Sequence, residues 1–439
     1  MNSDQKLSRE LLDFIQKSAS MFHTVDTVSR YFEEAGFQAL EEGEDWKLEP
    51  GKAYYVSRNG SSIMAFRLPE KISAPHFQIA ASHTDSPTFK VKSKPLCQGP
   101  DGYIRLNVEG YGGMIDSTWL DRPLSLAGRC LVDTDRGVES RLLYIDKDIL
   151  IIPNAPIHFN RQVNKGYEFN HQRDLLPLFT AGELKAEDFN AMLAESLGVE
   201  ADKILATDLF LVNRTPAALV GWKEEMIASP KLDNLQCAFA SMKAFINAEN
   251  PAAINVYAAF DNEEVGSLTK QGAMSTFLKD NLRRILLALG EDQASYLKAL
   301  AKSFLVSCDN AHALHPNRPD FYDPENRVYM NKGVVIKENA AQSYTTDAFS
   351  QAVFKKICQK AGVPVQNFAN RSDLGGGGTL GNISNVQVSL HSVDIGLAQL
   401  AMHSAYETGG VKDTAYMIRA LEAFYSTDIK IEGAKSASF

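Results

Sequence analysis

The sequence predicts an α/β protein: a mostly parallel central sheet with helices on both faces, interrupted by an inserted β-rich domain. Three observations lead there. Strand-like apolar runs alternate with helical periodicity toward both ends of the chain, the pattern of parallel strands joined by helical crossovers. Between 92 and 228 the pattern changes to short apolar runs separated by Gly, Asp and Pro at strand-like intervals. Short polar clusters sit where several apolar runs end, which is where sites form in open parallel sheets. The expected domains are a discontinuous one, 1–91 with 229–439, and an insertion, 92–228.

In chain order, Leu7, Leu11, Leu12 and Ile15 fall at helical spacing. Thr24 is the expected N-cap of a second helix that stops at Gly36. Ser62–Leu68 and Phe77–Ala81 read as strands, the second running into Ser82-His83-Thr84-Asp85. Within the β-rich region, Ile104–Val108, Leu124–Val132 and Leu142–Ile152 are the apolar runs, and Ala181–Leu197 looks helical. Beyond it come a helix over Leu235–Ile246 and strands over Ile254–Phe260 and Ser303–Ser307. A helix over Asp347–Ala361, a strand over Val386–Leu390 and a final helix over Val411–Tyr425 complete the reading.

The 439 residues exceed one ordinary core, in keeping with two domains. The composition is ordinary for a soluble globular protein, and the formal charge of −9 disfavours nucleic-acid or anionic-membrane partners, whose phosphates need clustered Lys and Arg. No run approaches the ~20 apolar residues of a membrane helix. The N-terminal residues lack a signal-peptide pattern. Five widely spaced cysteines with no Cys-x-x-Cys fit a reducing, cytoplasmic setting.

Four polar clusters follow strand-like runs: residues 82–85, 261–264, 307–310 and 391–394. At the carboxyl ends of neighbouring strands they would converge. His83 and Asp85 stand two apart, so on extended chain they share a face, and a metal-bound His commonly has its other nitrogen held by a carboxylate. A surface His beside a turn Asp gives the same pattern. Glu263 and Glu264 close a buried-type strand, where two adjacent carboxylates repel. A divalent cation relieves that, one Glu ligating while the other takes a proton from water. An exposed acidic turn is the bland alternative. Asp309, with His312 and His315 nearby, suggests a His/Asp site, although either His could simply pack. Asp233-Asn234 before a helix is ordinarily an Asx cap, and His403 alone is ordinarily structural. His, Asp and Glu without Cys form the ligand set of hydrolytic zinc sites. Cys237 and Cys308 read as packed thiols. The four glycines at 375–378 lack the Lys-Ser/Thr of a phosphate loop, and no Gly-x-Ser-x-Gly elbow marks a serine hydrolase.

Taken together, Ser82–Pro87, Leu232–Leu235, Asp261–Ser267, Asp309–Asn317, Asn370–Asp373 and Gln399–Ser404 resemble the aspartyl aminopeptidase family, in its order along the chain. The resemblance implies an α/β two-zinc aminopeptidase fold whose inserted domain dimerises. It implies that Asp233 bridges two zinc ions, with His83 and Asp309 completing one site and Glu264 and His403 the other. Cobalt or manganese could occupy the same donors. Glu263 is implied as general base and Asp85 as the partner of His83, and the Asp233–Asn234 peptide as cis. His158, in Ile157–Arg161, is implied to reach a neighbouring subunit's site and stabilise the oxyanion. Lys337 and Tyr344 are the candidates for binding an acidic N-terminal side chain, with His312 as a further substrate contact. The implied partners are peptides with a free N-terminus and other copies of the chain in a large homo-oligomer, a tetrahedral dodecamer. The same donors could serve a two-zinc carboxypeptidase or deacylase, or the fold could be a catalytically silent assembly protein.

Overall fold

The computed structural model describes residues 2–439. The chain forms two compact units: residues through Asp85 with Ala218–Met402 and Glu407–Phe439, and Ser86–Ala217 with His403–Tyr406.

The first unit is built on a nine-stranded mixed sheet. Its strand order is Gln38–Leu40, Ala53–Arg58, Ser62–Arg67, Ile254–Phe260, Phe77–His83, Phe304–Cys308, His391–Gly396, Val334–Glu338 and Val365–Ala369. The four strands from Ile254–Phe260 to His391–Gly396 pair in parallel. Antiparallel joints occur on either side of Ser62–Arg67 and between Val334–Glu338 and His391–Gly396. Phe77–His83, Ile254–Phe260 and Phe304–Cys308 are buried at every residue, as mainly apolar strands of a sheet covered on both faces are.

Side-chain alternation divides these strands between two cores. Ile63, Ala65, Ala80, Tyr257, Ala259 and Val306 pack in one cluster with Phe14, Phe32, Phe239, Phe245, Phe354 and Leu421 from helices. Met64, Phe66, Ile79, Ala81, Val256 and Ala258 pack in the other with Phe277, Leu282, Ile285 and Tyr296. A five-stranded sheet also belongs to this unit, in the order Ala218–Val220, Met226–Ser229, Glu407–Gly410, Ala398–Leu400 and Ala311–His312.

The second unit is a six-stranded antiparallel sheet, ordered Gly137–Tyr144, Leu124–Thr134, Ile204–Asn213, Thr88–Gln98, Ile104–Tyr111 and Leu178–Thr180, with the helix Ala186–Leu197. Phe89, Leu106, Trp119, Leu126, Leu209 and Phe189 form its core. Gly128 is required where two strands cross closely, since a Cβ there would lie 1.9 Å from the Asp208 carbonyl oxygen. The unit runs from 86 to 217, against 92–228 in the sequence reading. Thr88–Gln98 is one strand across the upstream boundary, and Met226–Ser229 pairs with Glu407–Gly410 of the first unit.

Several element expectations change. The second helix is Met21–Glu34 with Ser20 as N-cap, and Thr24 lies inside it, its hydroxyl donating to the Ser20 carbonyl at 3.1 Å. The run Leu142–Ile152 is no single strand: the strand ends at Tyr144 and the remainder makes isolated bridges at Leu150 and Ile151. Val386–Leu390 is not a strand. It follows the short helix Leu380–Ser384 as turns, with Val386 N–H donating to the Ile383 carbonyl. The strand there begins at His391, so residues 391–394 lie within a strand and not at its carboxyl end. Among the described residues no helix is long and apolar enough to cross a membrane.

Candidate metal centre

Three neighbouring parallel strands of the first unit deliver the polar clusters to one edge. His83 ends Phe77–His83 and lies in register with Phe260, so Asp261–Glu264 emerges beside it. Phe304–Cys308, on the other flank, leads into Asp309, whose N–H donates to the Ile395 carbonyl at 2.9 Å.

The Glu263 turn is built by Asn262. It adopts a left-handed φ of 62°, which Asn tolerates better than most residues. Its carbonyl accepts from Ser267 N–H at 2.8 Å, and its side-chain oxygen accepts from Thr269 and Gln271, each at 2.8 Å. This clamp holds the single turn Glu263–Val265.

Asp233 enters from the start of Leu232–Asn247. Here Lys231 has a left-handed φ of 57°, Asp233 and Asn234 are non-helical, and the peptide between them is cis. The buried Lys231 ammonium donates to the carbonyl of Ser18, tying this entry to the end of Ser3–Lys17. Burial lowers that amine to about 7. Asn234 Nδ2 donates to the Cys308 carbonyl at 2.8 Å, linking the entry to the Asp309 strand.

Asp85 joins the pieces. His83 Nδ1 lies 3.1 Å from its carbonyl oxygen and 3.3 Å from Oδ1. Its two carboxylate oxygens accept the N–H groups of Glu263 and Glu264, each at 3.2 Å. One side chain therefore orients the imidazole and anchors the acidic turn. A Nδ1–H donated to Asp85 leaves the Nε2 lone pair facing Asp233 Oδ1 at 3.5 Å and Asp309 Oδ1 at 3.6 Å. His83, Asp233 and Glu264 each bring a ligand atom within 4.8 Å of the others.

The electrostatics are those of a crowded anionic site. Burial pushes the Glu263 carboxyl up to about 8, against the pull of His83. Burial, then Asp233, pushes Glu264 well above the ordinary range. Burial alone would lower His83, yet hydrogen bonds to Asp233, Asp309 and Asp85 raise it. Burial would raise Asp309, but the Lys337 ammonium and then His83 hold it well below the usual carboxylate range. Such a cluster holds protons that a divalent cation displaces. The donor set, imidazole and carboxylate without thiolate, fits zinc.

Lys337 is buried, and its Nζ donates to the Asp309 carbonyl at 2.9 Å and to Asp309 Oδ2 and the Asn310 carbonyl at 3.4 Å each. It lies 5.1 Å from the centre of the Tyr344 ring, which is also buried. His312 is exposed on a two-residue strand, its ring 6.1 Å from that of Phe368. His158 and His403 belong to the second unit. His158 is exposed in a turn, and His403, at a φ of 66°, accepts the Ile115 N–H on its carbonyl at 3.0 Å. His315 Nδ1 accepts from Asn317 N–H at 3.2 Å, and the His391 ring packs 4.7 Å from that of Phe349.

A family model described as aminopeptidase I zinc metalloprotease (M18) matches residues 14–425. The chain belongs to the M18 aminopeptidases. It is 44% identical over 432 residues to a Clostridium novyi protein designated "Probable M18 family aminopeptidase 2", covering 97% of this chain and 100% of that one. Its fold superimposes with a TM-score of 0.92 on a chain from the cryo-EM structure of the Ape4 and Nbr1 complex, at 36% identity, covering 96% of this chain and 86% of that one. The S. cerevisiae mApe1 dodecamer matches with a TM-score of 0.84 at 26% identity, covering 95% and 96%. This M18 enzyme is thus a zinc metalloaminopeptidase, a hydrolase of peptide bonds. The sequence resemblance pointed to this family.

Sequence reasoning passed over Glu407. Its carboxylate, on the first residue of Glu407–Gly410, accepts the Asp233 N–H at 3.0 Å. A lone Glu before Thr-Gly-Gly carries no motif, and only the fold brings it to Asp233.

Proposed function

We propose that this M18 aminopeptidase removes single N-terminal residues from peptides with a two-zinc site and Glu263 as general base. The observation that carries the reading is the double anchorage by Asp85. It sets the Glu263 turn beside His83, Asp233, Glu264 and Asp309 in one fixed arrangement. In this reading Asp233 is shared, His83 and Asp309 complete one site, and Glu264 and His403 the other. Zinc, when bound, supplies Lewis-acid polarisation of the scissile carbonyl and acidifies the attacking water. Glu263 takes the water's proton on its carboxylate and returns it to the leaving amine nitrogen.

Preference for N-terminal Asp or Glu is the finer part of the proposal. It rests on a buried cation at the site, Lys337, with Tyr344 packed against it, and on His312, which follows Asp309 closely in sequence. Oxyanion stabilisation by His158 of a neighbouring copy, in a homo-oligomer like the mApe1 dodecamer, is proposed on the resemblance of Ile157–Arg161 and on that relative's assembly. A cytoplasmic location is proposed on the widely spaced cysteines.

Glu263→Gln tests the central step. The expected result is about two zinc ions per chain, as in the parent, with kcat lowered by about 10²–10⁴. Parental turnover in the zinc-loaded Gln variant would remove Glu263 from the mechanism, and one zinc per parental chain would remove the second site.

A further inference from the structure

Behind the zinc donors of the first unit lies a buried polar chain that no proposed role uses. Glu407 Oε2 accepts the Asp233 N–H at 3.0 Å, and Glu407 Oε1 accepts from Gln399 Nε2 at 3.4 Å. Gln399 Oε1 in turn accepts from Asn310 Nδ2. The Asn310 amide also donates to Gln236 Oε1 at 3.2 Å and to the Leu232 carbonyl at 3.3 Å, and its Oδ1 accepts from Cys237 Sγ at 2.7 Å. Glu407, Gln399, Asn310 and Gln236 are at most 2% exposed.

The chain has a direction. One end is the main chain of Asp233, and the other is Asn310, the residue after Asp309. Asp233 and Asp309 are the two carboxylates facing His83 Nε2, at 3.5 and 3.6 Å. Buried donors and acceptors linked in this way move together, because breaking any link strands a desolvated polar group. We propose that Glu407 is a positioning residue for the metal centre, fixing through Gln399 and Asn310 the separation of the Asp233 and Asp309 carboxylates.

Two physical points support a carboxylate here. The Asp233 N–H lies in the non-helical entry to Leu232–Asn247, buried and outside the helical hydrogen-bond ladder, so it needs an acceptor from elsewhere. Negative charge is also favoured at that end of the helix dipole. Gln399 and Asn310 then carry the restraint across to the neighbouring strand as neutral amides, so a single carboxylate is spent on the brace.

The proposal rests on Asp233 and Asp309 being zinc ligands, and the test separates the two ideas. Purified full-length protein is titrated with Zn²⁺ against a chromophoric chelator, and separately with Co²⁺ while its visible spectrum is recorded. Glu407→Ala is expected to weaken metal binding by about 10–100-fold, the range for groups that orient ligands, and to shift the cobalt bands. Glu407→Gln keeps one acceptor, for the Asp233 N–H, but turns a donor toward Gln399 Nε2, and is expected to fall between the parent and Glu407→Ala. Thr414→Val, which removes only the hydroxyl that accepts from Gln236 Nε2 at 3.0 Å, is expected to bind metal as the parent does. If Glu407→Ala does not fold, Gln399→Leu cuts the same brace one link away and is expected to weaken binding by about tenfold. Parental affinity and spectrum in Glu407→Ala or Gln399→Leu would overturn the brace, as would equal losses in the Ala and Gln variants of Glu407. A parental protein that binds neither metal would instead overturn the metal-centre reading beneath it.

Discussion

At the residue scale, each side chain of the site is shaped by its neighbours more than by its own type. Asp85 and Glu264 are both buried carboxylates. One accepts two main-chain N–H groups and faces His83, while the other is pushed up by burial and by Asp233. His83, Asp85, Glu263 and Glu264 were legible in the sequence because each ends an apolar strand. Asp233 was legible only through family resemblance, since an Asp-Asn pair before a helix usually caps it, and Glu407 was not legible at all. Lys337 shows what local reading leaves open. Its ammonium already donates to the Asp309 carbonyl, Asp309 Oδ2 and the Asn310 carbonyl, the last two at 3.4 Å, so the proposed acidic preference requires a substrate carboxylate to displace one of these long contacts. Lys337→Met is therefore expected to weaken zinc retention and also to lower the ratio of Asp- to Leu-substrate turnover by at least about tenfold, or ~1.4 kcal/mol. A panel of Asp-, Glu-, Leu- and Lys-chromophore substrates measures this. An unchanged ratio would leave Lys337 as the holder of Asp309 alone and remove the acidic preference from the proposal.

At the element scale, the buried strands of the large sheet were the most readable parts. Ile254–Phe260 is apolar but for Asn255, the composition of a strand covered on both faces of a sheet. Elements that trade apolar character for position were harder. Thr88–Gln98 interleaves three lysines and a proline and changes register between Val91 and Leu96, so its pattern does not read as one strand. Val386–Leu390 has strand composition but follows a short helix too closely to leave the turn. The start of Met21–Glu34 carries a testable consequence. His23 sits in its first turn with Nδ1 2.8 Å from Ser20 Oγ, and burial, aided by the nearby Lys231, lowers its pKa to about 4. The unfolded chain binds that proton near 6.5, so between about 4 and 6.5 it holds more protons than the folded protein, and stability rises with pH across this window. Acidification from pH 7 to pH 4 therefore costs up to about 3 kcal/mol through His23. Urea unfolding of the parent and of His23→Gln at both pH values isolates it. The variant is expected to lose less on acidification by up to that amount, and equal losses would show that His23 titrates normally in the folded state.

At the scale of the whole molecule, the two units divide the labour. The first brings His83, Asp233, Glu264 and Asp309 together at one sheet edge, and the second, which carries His403 and His158, exposes apolar side chains. Phe159 is 88% exposed and Ile157 is 49% exposed, on either side of His158, in a turn where Phe159 N–H donates to the Pro156 carbonyl. Exposed aromatics flanked by polar residues are characteristic of interfaces and of their energetic centres. If this segment seats on another copy, then a site completed by His158 exists only in the assembly. Light scattering of the parent is expected to give a mass near twelve times 48.4 kDa, as for the dodecameric relative, and Phe159→Asp is expected to lower it together with activity. Mass alone would not show that His158 crosses between copies, but mixing two inactive proteins does. His158→Ala lacks the reaching imidazole and Glu263→Gln lacks the base. A co-assembled mixture contains sites that take their base from one chain and their imidazole from the other. Activity regained on co-assembly, and absent when the two are assembled apart and then combined, would establish donation across the interface. A mixture no more active than its components would confine each site to its own chain and leave the Phe159 turn a purely adhesive surface.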